Sequence, residues 1–425
     1  MADAGSRSLR IAFCHPDLGL GGAERLIVDA AQELGSRGHE VDVYTAYYDP
    51  NRCFEETKSG AFRVLVRGNW FPRSIGNRAM ALCAYMRCLL MALSVCLASI
   101  LRPSNRYDVV IVDQVSITNL VFRLLCPQTR VLFYCHFPDL LLAKPLSWMH
   151  RMYRAPLDAL EQASTGMAHR VLVNSEFTKG VFRKTFTVLD SRGVIPTVLY
   201  PAVVIPDDAS MNAMRESWKS LLPPEVVGLM TSRPTFLSIN RYERKKNIGL
   251  AIRALALVSG GKDGRPEPGL VVAGGYDERL PENVQHLEEL KAIVKELELD
   301  DRISFMTSFS DDQRLALLCG CCAVTYTPTN EHFGIVPIET MAAATPVIAC
   351  DSGGPKESVV DQETGYLQHP TPEAFAEAMR ACLGAGQATG EKARARVEAL
   401  FSRHAFGDAL EDIVVQLIDD DRKLK

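Results

Sequence analysis

Short apolar runs alternate with longer amphipathic segments along most of this chain, in two series separated by a proline-rich stretch. The apolar runs have the length and β-branched content of strands, and the amphipathic segments have helical spacing. Strands that alternate with helices form parallel sheets with helical crossovers, so the sequence predicts an α/β fold. The first series comprises predicted strands and one helix at Ile11–Cys14, Ala23–Gly35 (helix), Val41–Ala46, Val109–Asp113, Val131–Cys135 and Val171–Asn174.

A second series of the same kind predicts a second α/β domain. At 425 residues, of which 47% are apolar, the chain can bury two cores of about 200 residues each. The stretch between the series contains Pro201, Pro206, Pro223 and Pro224 and few periodic runs, which is typical of a linker. We therefore predict domains at 1–200 and 234–402, a linker at 201–233 and a final helical segment at 403–425. The second series is Phe236–Asn240, Ile248–Val258 (helix), Leu270–Ala273, Asn283–Leu299 (helix), Ile303–Thr307, Asp311–Leu318 (helix), Ala323–Thr327 and Val347–Cys350.

Composition excludes several classes of function. The net charge of −4 does not favour a polyanionic partner, so nucleic acid is not expected. The 12 cysteines lie mostly inside apolar runs rather than in the regular frame of a disulfide scaffold, which favours a reducing compartment.

Two glutamates separated by seven residues, Glu331 and Glu339, flank a predicted strand-to-helix turn. Backbone N–H groups at the start of a helix favour an anion, especially a phosphate. The alternative interpretation is that Glu331 is a solvated loop acid and Glu339 stabilises the helix dipole. Spacing alone leaves both interpretations open. The residues whose amides lie at this turn are Phe333, Gly334 and Ile335.

Other loops after predicted strands also carry groups that bind ligands. Arg241 and Lys246 lie in a cationic loop, and a guanidinium with an ammonium suits a diphosphate, although such a cluster alone is more often a solvated face. Glycine-rich turns occur at Gly21-Gly22 and at Gly274-Gly275-Tyr276. Because parallel strands end at one edge of a sheet, the loops of each series should lie together.

Two rival kinds of site fail on spacing. Gly19-Leu20-Gly21 begins like a dinucleotide-binding fingerprint, but Arg25 or Glu24 stands where the third glycine belongs. Cys319 and Cys322 have no second ligand pair at zinc spacing, and the triple Asp419-Asp420-Asp421 lies in a charged tail. We therefore expect no metal and no cofactor.

With these stretches together, the chain resembles the family-4 glycosyltransferases of the GT-B fold. The two spaced glutamates, the Arg241/Lys246 pair and the Gly21-Gly22 turn stand at the family's positions, and the resemblance covers nearly the whole chain. It implies two Rossmann-like domains that face each other across a cleft, with a C-terminal helix that crosses back to the first domain.

Further stretches are similar to the branch of this family that extends the dolichol-linked precursor of N-glycans. The resemblance implies transfer of mannose from GDP-mannose to mannosyl-chitobiosyl-diphosphodolichol, adding the second (α-1,3) and third (α-1,6) mannoses with retention of configuration. The alternatives are another GT-B enzyme that uses a sugar nucleotide, or a nucleotide-sugar-binding scaffold for other glycosyltransferases. The similar stretches are His15–Gly19, Phe133–Asp139, Asn240–Asn247, Gly274–Asp277 and Asn330–Gly334.

The resemblance also implies roles for individual residues. Arg241 and Lys246 would hold the diphosphate, Glu339 the ribose, and Glu331 the mannose hydroxyls. His136 would contact the donor sugar near the reacting centre, although a lone histidine is more often structural. The other implied donor-binding residues are Gly21, Gly22, Gly275, Tyr276, Phe333, Gly334 and Ile335.

The segment Cys88–Leu101 is uncharged and apolar, but as a helix it would span only about 21 Å of a hydrocarbon core of about 30 Å. The segment is compatible both with a helix buried in the core and with a helix inserted shallowly in a membrane. Arginines near its ends and the apolar, basic stretch Leu140–Arg154 favour a bilayer surface. With no visible signal peptide, and from the resemblance, we expect the cytosolic face of the endoplasmic reticulum, with other early-pathway glycosyltransferases as candidate partners. The flanking arginines are Arg73, Arg78, Arg87, Arg102 and Arg106.

Overall fold

The computed structural model describes residues 8–76, 79–142, 148–259 and 266–423, and the chain divides into two compact units. The first unit comprises Met1–Ala202 and Arg403–Lys425, and the second comprises Val203–Ser402. Arg78 and residues 143–147 of the apolar, basic stretch lie outside the described residues. Each unit contains its own parallel sheet, so the predicted fold of two Rossmann-like α/β domains is confirmed.

The first unit follows the predicted alternation of strands and helices. Among the described residues its seven strands have the order β3-β2-β1-β4-β5-β6-β7, and Ile11 of β1 pairs in parallel with Val41 on one side and Val109 on the other. Helices cover both faces of the sheet, which is why the central strands are apolar along their whole length. The elements are β1 (Arg10–His15), α1 (Gly22–Ser36), β2 (Glu40–Thr45), β3 (Arg63–Val66), α2 (Met80–Leu101), β4 (Val109–Asp113), α3 (Ile117–Leu125), β5 (Arg130–Cys135), α4 (Asp139–Leu142), α5 (Trp148–Thr165), β6 (Arg170–Val173), α6 (Glu176–Thr185), α7 (Thr187–Ser191) and β7 (Thr197–Val198).

The second unit repeats this architecture with six parallel strands in its described part, in the order β10-β9-β8-β11-β12-β13. One face of the sheet packs against α10, α11 and α15, and the other packs against α8, α9 and α12. The elements are α8 (Asp208–Ser217), α9 (Pro224–Ser232), β8 (Thr235–Ile239), α10 (Gly249–Ala256), β9 (Gly269–Gly274), α11 (Pro281–Glu296), β10 (Ile303–Thr307), α12 (Asp311–Gly320), β11 (Ala323–Tyr326), α13 (Ile335–Ala342), β12 (Val347–Cys350), α14 (Pro355–Ser358), β13 (Tyr366–Gln368) and α15 (Pro372–Leu400).

The structure corrects the prediction of a linker at 201–233. Most of this stretch forms α8 and α9, and Met211, Val226 and Met230 are buried in the core of the second unit. The prolines do not interrupt these helices, because Pro223 is the N-cap of α9 and Pro224 is its first residue. A proline is tolerated at that position, where the backbone N–H would have no partner within the helix.

The last helix, α16 (Arg403–Lys423), packs against α1 in the first unit. Phe406, Leu410 and Val414 are buried in the same core cluster as the apolar residues of α1. Arg37, which follows α1, lies 2.8 Å from Asp408 and 3.2 Å from Glu411. The C-terminal segment therefore completes the core of the N-terminal unit, as the family resemblance implied.

A buried ion pair joins the carboxyl ends of the neighbouring strands β1 and β4. Nδ1 of His15 lies 2.7 Å from Oδ2 of Asp113, and both side chains are fully buried. Burial alone would lower the pKa of His15, but its hydrogen bond to Asp113 and the nearby carboxylate of Glu24, 3.7 Å from Nε2, raise that pKa to about 9. His15 is therefore protonated at neutral pH, and its charge is balanced by the carboxylates around it.

We expect this pair to give the first unit a characteristic pH dependence of stability. Because the pKa of His15 rises from 6.5 to about 9 on folding, its stabilising effect is complete below pH 6.5 and is lost as the pH rises through 9. The free energy of unfolding should fall by about 3 kcal/mol over this window, at about 1.4 kcal/mol per pKa unit. Urea denaturation at a series of pH values measures this change.

The His15→Gln variant should lose most of this slope, because it cannot bind the proton. His404→Gln is the matched control, since the side chain of His404 is 80% exposed. A His15→Gln protein whose stability falls with pH as steeply as that of the wild type would contradict the assignment.

Candidate functional site

In the second unit, the loops after β8, β9, β11 and β12 lie at the carboxyl edge of one parallel sheet. This edge is where open α/β sheets bind their ligands. The structure therefore brings most of the predicted donor-binding residues into neighbouring loops of a single unit. They are Arg241, Lys246, Gly275, Tyr276, Glu331, Phe333, Gly334 and Ile335, with Glu339 on the adjoining helix.

The closest contact among the predicted site residues joins Lys246 and Glu331. Nζ of Lys246 lies 2.5 Å from Oε1 of Glu331, and the two side chains are 13% and 26% exposed. The hydroxyl of Thr327, directly after β11, donates a hydrogen bond of 2.7 Å to the backbone carbonyl of Lys246. An ammonium group has three donors, so its bond to Glu331 leaves two for an anion. The cationic loop and the acidic loop thus form one local structure.

Arg241 contributes a second cation at the same edge. Its Nη1 lies 3.2 Å from Oε1 of Glu243, and its side chain is 67% exposed. The stem of Arg241 lies along Gly275, where an added Cβ would come within 3.3 Å of Cγ of Arg241. Gly275 therefore contributes space for the arginine, which agrees with its predicted place in the site.

The glycine loop after β12 shapes the acidic loop. Gly353 has φ +67°, and a Cβ at this position would lie 2.4 Å from the carbonyl oxygen of Glu331. The neighbouring amide of Gly354 donates a hydrogen bond of 2.8 Å to that carbonyl. Only a residue without a side chain fits between the two loops. The position of Glu331 therefore depends on the loop after β12 as well as on its own strand.

Glu339 lies on α13, the helix that follows the loop of Glu331. It pairs with a residue that the sequence analysis did not identify. Oε1 of Glu339 lies 3.2 Å from Nη1 of Arg314 on α12. Burial raises the pKa of Glu339, and the charge of Arg314 opposes that shift. No spacing rule relates positions 314 and 339, because the two residues belong to different helices.

The predicted residues at the helix start differ in what they can offer a ligand. Gly334 is the N-cap of α13 with φ +77°, a left-handed conformation that favours glycine. Phe333 is buried and packs its ring against Phe401, so its side chain contributes to the core. Tyr276 likewise packs edge-on against Tyr242, with ring centroids 5.8 Å apart. Ile335, the first residue of α13, has a side chain that is 39% exposed.

The remaining predicted residues lie in the first unit. Gly21 is the N-cap of α1 and Gly22 is its first residue. His136 follows β5, and its Nε2 lies 2.8 Å from Oδ1 of Asp113, the carboxylate that also binds His15. Burial alone would raise the pKa of Asp113, but the two histidines hold it at about 2. Asp113 was missed as a functional residue, although its place at the end of a predicted strand was a usable signal.

The described part of the chain holds no group of three or more histidine, cysteine, aspartate or glutamate side chains placed to bind a metal ion. Cationic side chains, chiefly those of Arg241 and Lys246, lie at the loops of this edge. Such groups can neutralise a diphosphate by hydrogen bonding and charge.

Comparison with known proteins agrees with this arrangement. The family described as "Glycosyltransferase Family 4" matches residues 20–198, and "Glycosyl transferases group 1" matches residues 224–398. The chain is 45% identical over 417 residues to the alpha-1,3/1,6-mannosyltransferase ALG2 of Mus musculus, covering 96% of each chain. It is 43% identical over 426 residues to the protein of that name from Dictyostelium discoideum, covering 97% of this chain and 99% of the relative.

Among solved structures, the sucrose-phosphate synthase of Thermosynechococcus elongatus superposes with a TM-score of 0.71 at 22% identity. The match covers 97% of this chain and 100% of the synthase, and at this identity it establishes the fold alone. The sequence relatives establish more, because their identity extends over nearly the whole length of both chains. The chain is therefore a glycosyltransferase and belongs to the ALG2 family of alpha-1,3/1,6-mannosyltransferases.

Proposed function

We propose that this mannosyltransferase moves mannose from GDP-mannose to mannosyl-chitobiosyl-diphosphodolichol, adding the second (α-1,3) and third (α-1,6) mannoses with retention of configuration. The observation that carries the proposal is the Lys246–Glu331 pair beside Arg241 at the carboxyl edge of the second sheet. To bind a nucleotide sugar, a site needs cations for the diphosphate and hydrogen-bond acceptors for the sugar hydroxyls. These neighbouring loops supply both.

Arg241 and Lys246 have complementary tasks in this mechanism. The exposed guanidinium of Arg241 can bind two phosphate oxygens at once, and Lys246 adds a point charge with two remaining donors. Negative charge builds on the GDP leaving group as the bond to mannose breaks. A preorganised cation in a partly desolvated site stabilises that charge more than water does. The largely buried Lys246 is therefore the more important cation for the transition state.

The two glutamates act as hydrogen-bond acceptors rather than as nucleophiles. Glu331 is paired with Lys246 and Glu339 with Arg314. A double displacement needs two carboxyl groups about 5 Å apart on the two sides of the scissile bond. With both acids neutralised by cations, we favour front-face displacement, in which the departing phosphate accepts the proton of the acceptor hydroxyl. Glu331 orients the mannose hydroxyls, and Glu339 binds the donor ribose.

Several exposed apolar groups of the first unit support binding to a membrane surface. Helix α2 buries Met91 and Val95 in the core of that unit, while its opposite side exposes Leu93, Leu97 and Ile100. By length and composition α2 is the one helix in the described residues that could cross a bilayer. Because one side of α2 is buried, we propose that this helix lies along the membrane surface and inserts only its exposed side. Trp148, Met149 and Met152 on α5 are exposed as well.

We place the enzyme at the cytosolic face of the endoplasmic reticulum membrane, where a dolichol acceptor keeps its chain in the bilayer. Burial of exposed apolar side chains contributes about 25 cal/mol per Å², and each basic residue near anionic lipid contributes about 1 kcal/mol. Arg102 follows α2 directly and is exposed. Arg151 is exposed on the helix that carries Trp148. Together these contributions suffice for stable attachment.

The proposed reaction predicts a defined product. Purified protein with GDP-mannose and a synthetic lipid-linked trisaccharide should yield acceptors extended by one and then two mannoses, joined by α-1,3 and α-1,6 linkages. Because side-chain cations take the place of a metal in the proposal, the rate should persist in excess chelator. Mass spectrometry and linkage analysis measure the product. Hydrolysis of GDP-mannose without transfer, or loss of activity that only a divalent ion restores, would contradict it.

Replacing Lys246 should impair the chemical step. Loss of a cation opposite the leaving diphosphate costs roughly 2–4 kcal/mol of transition-state stabilisation, so Lys246→Ala should slow transfer about 30- to 1000-fold. Lys245→Ala is the matched control, because Lys245 is exposed and its ammonium pairs with Glu243 instead. If a folded Lys246→Ala protein turns over at nearly the wild-type rate, Lys246 does not have the proposed role in the site.

Replacing the exposed apolar residues of α2 should weaken membrane attachment. Leu93, Leu97 and Ile100 are 43%, 56% and 54% exposed, so changing all three to serine should leave the core intact and reduce flotation with liposomes. Leu89 is not included, because it packs against two core clusters. The control variant carries serine at three exposed positions of the second unit. If the α2 variant floats as well as the control, α2 is not part of the attachment surface. The control positions are Leu257, Leu280 and Val284.

A further inference from the structure

The first unit contains a cavity of about 220 Å³ at the carboxyl edge of its sheet, distinct from the donor loops of the second unit. At about 30 Å³ for each water molecule, it has room for roughly seven waters, or for a small ionic group. The lining comes from the loop after β1, the end of β2, the loop before α2 and α2 itself. The lining residues are Pro16, Asp17, Ala46, Arg73, Ala84, Arg87 and Cys88.

Arg87 is a buried cation whose hydrogen bonding is incomplete. It is 6% exposed, and its Nη2 donates to the backbone carbonyl of Ala46. Its Nε has no hydrogen-bond partner among the described residues. The backbone at Arg87 is held by close packing, because a Cβ on Gly68 would lie 2.5 Å from the carbonyl oxygen of Arg87. A guanidinium keeps its charge in proteins, so Arg87 places a fixed positive charge in the wall of the cavity.

Arg73 brings a second guanidinium to the same cavity. Its Nη2 lies 2.9 Å from Oδ2 of Asp17, and its Cζ lies 3.6 Å from the ring centroid of Tyr47. The lining residues include two guanidinium groups, from Arg73 and Arg87, and one carboxylate, from Asp17. They therefore carry one excess positive charge. Burial, and to a smaller extent repulsion from Arg73, lower the pKa of Arg87. Buried charge without a full set of partners is unfavourable, and a bound anion would relieve it.

Exposed apolar side chains lie close in the chain to the residues that line the cavity. Trp70 and Ile75, on either side of Arg73 in the chain, are 74% and 59% exposed, and Met80 at the start of α2 is 65% exposed. A cationic pocket beside such side chains fits a ligand in which an anionic group is attached to a long apolar chain. A free phosphate would use the guanidinium groups but not the apolar residues.

We propose that the Arg73/Arg87 cavity binds the phosphate groups of a lipid headgroup, and that this headgroup is the diphosphate of the lipid-linked acceptor. The assignment to the acceptor rests on the proposed function. Each guanidinium can donate two hydrogen bonds to a phosphate, so two arginines match a diphosphate. The incoming phosphate takes the place of Asp17 as the partner of Arg73. Trp70 and Ile75 then contact the first part of the lipid chain.

Kinetics with matched variants test this site. Arg73→Gln should raise the KM for the lipid-linked acceptor about 10-fold, the size expected for loss of a charged hydrogen bond, with unchanged kcat and unchanged KM for GDP-mannose. Asp17→Asn should lower the acceptor KM, because it removes the competitor for Arg73. If the Arg73–Asp17 pair only held the loop in place, both variants would raise the KM alike, and that result would overturn the proposal. Arg67→Gln is the control, since Arg67 is exposed and donates to its neighbour Val66.

Two further experiments show whether the bound phosphate belongs to the lipid-linked acceptor or to membrane phospholipid. With the same glycan joined to lipid through a neutral linkage, wild type and Arg73→Gln should have the same KM. Flotation with anionic phospholipid vesicles without acceptor should also be the same for both. A defect of Arg73→Gln in flotation alone, with a normal acceptor KM, would assign the cavity to phospholipid headgroups and overturn the acceptor assignment.

A binding measurement separates failure of this site from failure of the proposed function. Inorganic diphosphate, titrated calorimetrically with the donor site saturated by GDP, should bind the wild type and Arg67→Gln but bind Arg73→Gln at least about 10-fold more weakly. If Arg73→Gln binds diphosphate as tightly as the wild type, the proposed phosphate site is wrong, whether or not mannose transfer is observed. Arg87→Gln should behave like Arg73→Gln if it folds. Since Arg87 is buried, the conclusion rests on the exposed Arg73.

Discussion

In a parallel sheet, each crossover returns the chain to the starting edge, so every loop that follows a strand lies on the same side. This constraint brings residues from different strands together in both units. In the second unit it brings Lys246, which follows β8, to within 2.5 Å of Glu331, which follows β11. In the first unit it joins His15, Asp113 and His136, which come from the ends of three adjacent strands. Residues far apart in sequence become neighbours because their strands are neighbours.

The charged groups at these edges are arranged mainly as pairs. Glu331 is held by Lys246, Glu339 by Arg314, and Asp113 by two histidines. Pairing reduces the cost of burying each charge, because an opposite charge offsets the loss of hydration. It also fixes each side chain in one orientation before a ligand arrives. A substrate that binds here exchanges one set of partners for another, so little reorganisation is required.

The sequence predicted most of the strands, because each is an apolar run between turn residues, but it missed the edge strands β3, β7 and β13. Val109–Asp113, Ile303–Thr307 and Val347–Cys350 begin and end where periodicity places them. Periodicity failed at α9, which begins with proline, since composition there resembles that of a loop. Periodicity also could not predict which residues far apart in the sequence would form ion pairs. Arg314 and Asp113 acquire their roles only through packing, and no local pattern encodes which helix or strand will lie beside another.

The C-terminal helix has a consequence for how the chain is made. The core of the first unit includes Phe406, Leu410 and Val414, which are synthesised after the whole of the second unit. Until then, the apolar side of α1, with Leu26 and Ile27, has no cover from α16. The second unit is continuous in the chain and can fold earlier, although it is synthesised later than most of the first. Premature termination within the last helix would therefore damage the N-terminal unit and leave the second unit intact.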